Sequence, residues 1–521
     1  MAAARLASRF SRAISGTIAF LEPTLSVMTE RRDLQLVLRS GVPIIVIQTA
    51  DEGRFLTLLR DIALSSPAAA YRPLFRWTLT DGLQRLDLDL EPQRLNSEPT
   101  DVLRHIRAVK TPGIYALLDF HPFLAEPVNT RLLKDIALAG RDSGTVVLLI
   151  SHEVKLPREL EAFSARFEMR LPDAAARRAI VDRILEEYRS ANGRNVKVDT
   201  KALDLLVQNL AGLGHVETER LAQNAVCQDG AVTAADIPAV MRAKYELLNR
   251  GGILSYEHDL AQFSEVAGFR NVKVWLKQRS AAFSQPRPPG LDAPKGFLLL
   301  GVQGCGKSLA AKAAASAFGV PLLRLDFGAL YNKYHGETER NLRESLQTAE
   351  VMAPCVLWLD EIEKGLATGE SDSGTSQRVL GTLLTWMAER KSQVLLVATA
   401  NNIDALPPEL IRKGRFDEIF FVDLPTPEQR GEILTIHMRK RGLDARGGEL
   451  GPLVAATDSF SGAEIEQAVV AALYAAHASG QQTTAAHVLA EARRTRPLAV
   501  LMREPIAHLR AWASGRTVPA D

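Results

Sequence analysis

Between Arg32 and about Asn249, short apolar runs alternate with stretches whose apolar residues recur at helical spacing. The runs are VPIIVIQT (43–49 and the neighbouring Val42), GIYALLDF (113–120), TVVLLIS (145–151) and RFEMRL (166–171). Apolar strands alternating with helices predict a parallel sheet covered on both faces. From about Asp173 the period becomes helical throughout, in AAARRAIVDRILEEY, KALDLLVQNLA and VETERLAQNAV, so a small helical bundle should follow the sheet. After a break at RGGILSY the plan repeats, with strands expected at 296–301, 322–327, 355–360, 393–400 and 418–424 and helices to about 495.

The repetition extends to the letters. VVLLISHEVKLPREL…RFEMRLPDAAARRAIVDRIL lies against VLLVATANNIDALPPEL…RFDEIFFVDLPTPEQRGEILTIH, with a strand, an LP-x-EL turn, Arg-Phe, a second strand, LP and a helix in one order. The expectation is an α/β protein of two tandem modules, each a parallel sheet sandwiched by helices plus a small helical lid. The predicted boundaries are an extension over 1–27, an α/β domain over 28–172 with its lid over 173–250, a second α/β domain over 251–424 with its lid over 425–495, and a tail over 496–521. The segment SQPRPPGLDAPKG reads as an irregular connector inside the second module.

Composition narrows the partners. A hydrophobic share of 46%, a charged share of 24% and a formal net charge of +2 give no strongly basic footprint, which weighs against a nucleic-acid partner. Cys227, Cys305 and Cys355 are far apart, so neither a disulfide framework nor a zinc site is indicated and a reducing compartment fits best. No apolar run is long enough to predict a membrane span, and no HExxH helix predicts proteolysis. His258, His437 and His477 lie singly, which packing explains better than metal binding. The first 27 residues hold Arg5, Arg9 and Arg12 with no acid before Glu22, like an organelle presequence; the alternative is a start at Met28. The expected location is the cytoplasm of a bacterium, or an organelle matrix or stroma if that stretch is a presequence.

The chemistry is concentrated in the second half. GVQGCGKS matches G-x-x-x-x-G-K-[ST] between an apolar strand and a helix, over Gly301, Val302, Gln303, Gly304, Cys305, Gly306, Lys307 and Ser308, followed by Leu309. Glycines turn the backbone so that successive amides face a polyphosphate, and the helix dipole adds favourable potential. Lys307 is then expected on the β and γ phosphates of ATP, and the Ser308 hydroxyl on Mg2+. Cys305 reads as a small filler or as a redox switch on ATP binding. CVLWLDEIE ends a buried strand in Asp360, a candidate Mg2+ ligand, and Glu361, a candidate general base for water; the bland alternative is a solvated acidic loop. Asn401 ends a third buried strand and can hold the water or γ phosphate, or simply make a turn. Arg412 and Arg415 sit on a Gly-containing turn, as fingers for a neighbouring subunit's γ phosphate or as surface cations.

In this order, VAGFRNVKVWLK, GVQGCGKS, LYNKYHGETERNLR, LWLDEIEK, VATANN and LIRKGRFDEIFFVDLP resemble the AAA family of AAA+ ATPases over residues 255–495. The resemblance implies that Val266, Ala267 and Gly268 lie against adenine, that Asn401 is the sensor asparagine, and that Arg412 and Arg415 act across a subunit boundary. It implies that Gly462 and Ala463 belong to a lid closing over the nucleotide, and that Tyr334, His335 and Gly336 form a loop facing a central pore. His335 departs from the usual aliphatic residue. More narrowly, LQLVLRSGVPIIVIQTADE, SDSGTSQRVLGTLLTWMAE and ATANNIDALPPELIRKGRFDEIFF resemble the AAA ATPases first catalogued as a hypothetical chloroplast reading frame. The implied activity is MgATP hydrolysis coupled to remodelling a protein client by a homo-oligomer, expected as a hexamer. The alternative is a nucleotide-gated scaffold that hydrolyses slowly and threads nothing.

The first half departs from that pattern. ADEGRFLTLLR stands where the phosphate loop should follow VPIIVIQT, and LLDFHP carries Asp119 with no glutamate after it. That half is expected not to hydrolyse ATP. Arg166 before Phe167 parallels Arg415 before Phe416, as a finger-like residue or a salt-bridging one.

Overall fold

A computed structural model describes residues 25–49, 51–65, 71–88, 94–193, 197–227, 230–249, 253–258, 265–283, 290–327, 330, 338–366, 373–443 and 449–521. The first sheet has six strands: β1 (Ile44–Gln48), β2 (Leu74–Thr78), β3 (Gly82–Arg85), β4 (Ile114–Leu118), β5 (Val146–Ser151) and β6 (Ser164–Glu168). Their order is β3-β2-β4-β5-β1-β6, parallel except for the β2–β3 hairpin. Successive side chains point to opposite faces. Ile45, Ile47, Ala116, Leu148 and Ile150 therefore pack with helices Leu25–Arg39 and Glu52–Leu64. Ile44, Val46, Leu117, Val147 and Leu149 pack with helices Pro99–Ala108 and Pro127–Ser143. Burial on both faces is what makes these strands continuous apolar runs in the sequence.

Helices Ala174–Asn192, Thr200–Asn209, His215–Cys227 and Ile237–Leu248 follow, with a small ladder of β7 (Lys197–Val198) and β8 (Ala231–Val232). The segment expected as one lid divides between two compact units. The described residues of 1–195 and 211–223 form one, and those of 196–210 and 224–521 the other. Within the second, Lys244 is fully buried and its ammonium donates to the carbonyls of Asn209 (3.0 Å) and Val351 (2.6 Å). A buried cation needs such acceptors, so this contact fastens helix Ile237–Leu248 to its own unit.

The second sheet has seven strands: β9 (Leu254–Glu257), β10 (Gly296–Gly301), β11 (Leu322–Leu325), β12 (Cys355–Leu359), β13 (Val394–Ala400), β14 (Glu418–Val422) and β15 (Val518–Pro519). The order is β15-β14-β10-β13-β12-β11-β9, with only β9 antiparallel to its neighbour. The run β11-β12-β13-β10-β14 repeats, strand for strand, the run β2-β4-β5-β1-β6 of the first sheet. The fold is thus α/β with two like parallel-sheet modules, each carrying an antiparallel edge strand. Helices Pro427–Lys440 and Gly462–Ala478 begin with capping boxes at Thr426 and Ser461 and share a core of Leu434, Phe460, Ile465 and Val469. Within the stretch expected as a tail lie helices Leu498–Leu501 and Arg503–Ala513, then β15, which extends the main sheet. No helix among the described residues is long and apolar enough to cross a membrane.

Candidate active site

The carboxyl ends of β10, β12 and β13 open into a cleft of about 910 Å³, where ligands of open α/β sheets collect. Its lining includes Val266, Ala267, Gln303 to Leu309, Asp360, Glu361, Thr399, Asn401, Gly462 and Ala463. Residues from five separate stretches of sequence are thereby brought together. Gly268, Gly301 and Val302 are not part of that lining, and Val302 lines a neighbouring cavity with Gln303 and Asn401. Gly301 packs so tightly on β14 that a Cβ there would lie 2.0 Å from the Val422 carbonyl oxygen, so its glycine is a requirement of the sheet. Gly304 and Gly306 supply the left-handed turns of the loop, at φ +75° and +86°.

Helix Lys307–Phe318 starts at Gly306 without a side-chain cap, leaving its first amides for an anion. The buried Lys307 ammonium donates to the carbonyls of Gly301 (2.9 Å) and Val302 (2.8 Å), and burial lowers its pKa to about 8. Ser308 Oγ stands 3.5 Å from Asp360 Oδ1. That oxygen also accepts from Thr399 Oγ1 at 2.8 Å, and the other Asp360 oxygen accepts from Arg324 at 2.9 Å. Hydroxyl and carboxylate oxygens facing one another suit a hard cation such as Mg2+.

Glu361 adopts φ +48°, a left-handed conformation rare outside glycine, directly after Asp360. Its N–H donates to Thr399 Oγ1 (3.0 Å) and its carboxylate accepts from Asn401 Nδ2 (3.0 Å) and from Lys364. Asn401 is held in turn by Glu363, whose Oε1 accepts from the Asn401 N–H at 2.9 Å; burial raises the Glu363 pKa. Burial pushes the Cys305 thiol up to about 12. A thiol kept protonated is a poor nucleophile, which supports the filler reading over the redox switch.

The lid meets the loop directly. Ala463 N–H donates to the Gly304 carbonyl at 2.9 Å, and a Cβ on Gly304 would lie 3.0 Å from Ser461 Oγ. Arg412 and Arg415 do not line the cleft. Arg412 is exposed, and half-buried Arg415 donates to the Leu384 carbonyl at 2.9 Å. Arg166 differs from Arg415 in placement: it lies within β6, in register with Val46, whereas Arg415 precedes β14. Tyr334, His335 and Gly336 lie outside the described residues. Sequence reasoning missed Arg324, Thr399, Glu363 and the residues of β15; the one signal for Thr399 is its place inside ATANN, two residues before Asn401.

Comparison with known proteins places the chain in a family. The family described as ATPase family associated with various cellular activities (AAA) matches residues 297–424. The N-terminal and second domains of SpoVK-like AAA ATPases match residues 30–169 and 175–251. The chain is similar to the AAA domain-containing protein ycf46 of Guillardia theta, 34% identical over 93% of this chain and 94% of that one. Its counterpart in Trieres chinensis is 33% identical over 92% and 96%. The proteasome-activating nucleotidase of Aeropyrum pernix is 38% identical over 38% of this chain and 49% of its own.

Proposed function

Since the chain belongs to the ycf46 group of the AAA family of ATPases and is an ATP-hydrolysing enzyme, we propose that residues 251–495 hydrolyse MgATP and that turnover remodels a protein client through a homo-oligomeric ring. The observation that carries this reading is the convergence of Lys307, Ser308, Asp360, Glu361 and Asn401 on one cleft closed on another side by Gly462 and Ala463. Lys307 holds the terminal phosphates as a point charge, while the amides of 303–306 and the helix start cradle the rest. Ser308 and Asp360 hold the cation, which supplies charge neutralisation on the phosphates. Glu361, oriented by Asn401, takes the proton of the attacking water. Val266 and Ala267 bound the base. Arg412 and Arg415, outside the cleft of their own chain, serve that of a neighbour.

Phosphate release and solution mass, with and without ATP, test the reading on wild type and Glu361→Gln. The variant should bind ATP, assemble and stall; a monomer that releases phosphate at the wild-type rate contradicts it. The nucleotide-gated scaffold is the second reading, favoured by His335 where an aliphatic residue is usual. Tyr334→Ala separates the two: lost client processing with intact basal hydrolysis supports threading, and an unchanged protein supports the scaffold.

A further inference from the structure

Residues 498–521 run from the lid back to the sheet and are fastened at each step. The Leu498 N–H donates to Glu464 on the lid helix at 2.6 Å. Helix Arg503–Ala513 then reaches two loops at the carboxyl ends of β13 and β14, His508 meeting Asp404 at 3.2 Å and Arg510 taking both carboxylate oxygens of Asp423 at 2.8–3.0 Å. Asp423 itself lines the cleft. Beyond it, the Ala520 N–H donates to the Phe421 carbonyl (2.9 Å) as β15 joins β14. The other side of this strand holds the loop that leads out of Val266. Asn271 and Val272 donate their N–H groups to the Ala520 carbonyl (3.2 and 3.4 Å), Asn271 Nδ2 donates to Pro519 O (3.0 Å), and Arg270 N–H donates to Asp521 Oδ1 (3.1 Å). Pro519, Ala520 and Asp521 line the cleft at the end formed by Val266, Ala267 and Phe269.

We propose that β15 and Asp521 are a positioning element of the nucleotide site, fixing the backbone of 267–271 against which the base lies; this rests on the cleft being the nucleotide site. The loop's other ties are Gly268 N–H to Glu432 (3.1 Å), the Arg270 guanidinium to Glu428 (3.3 Å), the Lys273 ammonium to the Val266 carbonyl (2.8 Å), and the burial of Val266 and Phe269; none of them bonds the backbone of 269–271 as the strand does. Gly268 sits at φ +66°, where glycine confers freedom that the strand must restrain. A loop left to sample other conformations lowers the fraction of binding-competent protein, and apparent affinity falls by that fraction. The groups proposed to hold phosphate, Lys307 and Ser308, are on other elements. The strand therefore acts on ligands that carry a base and not on a bare polyphosphate.

A chain ending at Ser514, and the point variant Asp521→Ala in the full chain, provide the test. Affinities for ADP and for inorganic tripolyphosphate are measured beside KM and kcat for ATP. For the shortened chain the ADP Kd and the KM should rise about five- to tenfold, with tripolyphosphate binding and kcat within about twofold of wild type. For Asp521→Ala the rise should be about threefold. Unchanged ADP binding overturns the proposal, as does an equal loss for tripolyphosphate, which marks a merely structural strand. If the shortened chain does not fold, Asp521→Ala decides alone, and an unchanged KM sinks the idea. Lys307→Ala separates the two levels of argument: ADP binding that survives it refutes the nucleotide-site reading, whereas lost binding there beside an unaltered shortened chain refutes only the role of β15.

Discussion

The two sheets share one strand order, yet the ends of their strands carry opposite chemistry. In the second module the helix after β10 begins at Gly306 with its amides open. In the first, the helix after β1 begins at Asp51, whose carboxylate accepts from Arg54 N–H at 3.2 Å, and Glu52 follows in the first turn. A carboxylate at a helix start satisfies the orphan amides and occupies the favourable potential a phosphate would use. Burial and the nearby Asp119 raise the pKa of Glu52, a sign of crowded negative charge where the other module has Lys307. At the next strand, Ser151 Oγ donates to Asp119 at 2.7 Å, as Thr399 does to Asp360 at 2.8 Å. Glu361 has no counterpart there, because Phe120 is buried against Trp77, with ring centroids 5.3 Å apart. The lesson is that apolar alternation and burial preserve the sheet, while phosphate chemistry depends on a few residues at its rim that the fold does not need.

The strongest way to break this contrast is Lys307→Ala. If only the second module takes nucleotide, hydrolysis by the whole chain should fall by at least about two orders of magnitude, and ADP binding should vanish from calorimetric range. Residual ADP binding at one site per chain would refute the second-module cleft as the nucleotide site and point to the acid-capped first module. Next in size, Glu361→Gln should lower kcat about 10²–10³-fold with ATP binding intact, whereas Asp119→Ala in the first module should leave turnover within about twofold. Single-turnover phosphate release on both variants checks the pair; equal losses would erase the distinction.

A smaller effect comes from pH. Burial lowers Lys307 to about 8, so in the free protein the ammonium is charged below that pH and is lost above it. Phosphates require the charged form, so above about pH 8 binding must take up a proton and affinity should fall by up to about tenfold per unit. Calorimetry in two buffers of different ionisation heat at pH 9 should reveal that proton. Nucleotide affinity that stays flat from pH 7 to 9 would place the phosphates elsewhere.

Much of this was legible in the sequence because β1, β4, β5, β10, β12 and β13 are buried on both faces and read as apolar runs of strand length. β2 and β9 escaped notice since they are short and interrupted by Arg76 or by Ser255 and Glu257. β15 has two residues, and Pro519 argues against a strand except at an edge, which is where it lies. The phosphate loop and Asp360–Glu361 were visible as motifs, since their chemistry is local in sequence. Arg324 and Thr399 were not, because their roles arise from register. Pairing Leu325 with Leu359 and Leu359 with Ala398 sets Arg324 and Thr399 on either side of Asp360, and no spacing along the chain announces that.

The hydroxyl shared by both modules gives the finest comparison. Thr399 bonds Asp360 and also accepts from the Glu361 N–H, so Thr399→Val removes two restraints from the proposed cation ligand and base. The KM for MgATP should rise and kcat fall, each about three- to tenfold, with a T399S variant restoring most of both. In the first module Ser151 donates to Asp119 and lies within reach of two imidazoles, His121 Nδ1 at 3.0 Å and His152 Nδ1 at 3.2 Å. One hydroxyl hydrogen serves Asp119, so the oxygen can accept from imidazoles carrying their proton on Nδ1. Ser151→Ala strips that knot of its centre and should cost about 1 kcal/mol of stability, read by urea denaturation, with ATP turnover unchanged. Should turnover fall as far for Ser151→Ala as for Thr399→Val, the rim of the first sheet must communicate with the site of the second, and its residues have been kept for something other than holding their own strand ends in place.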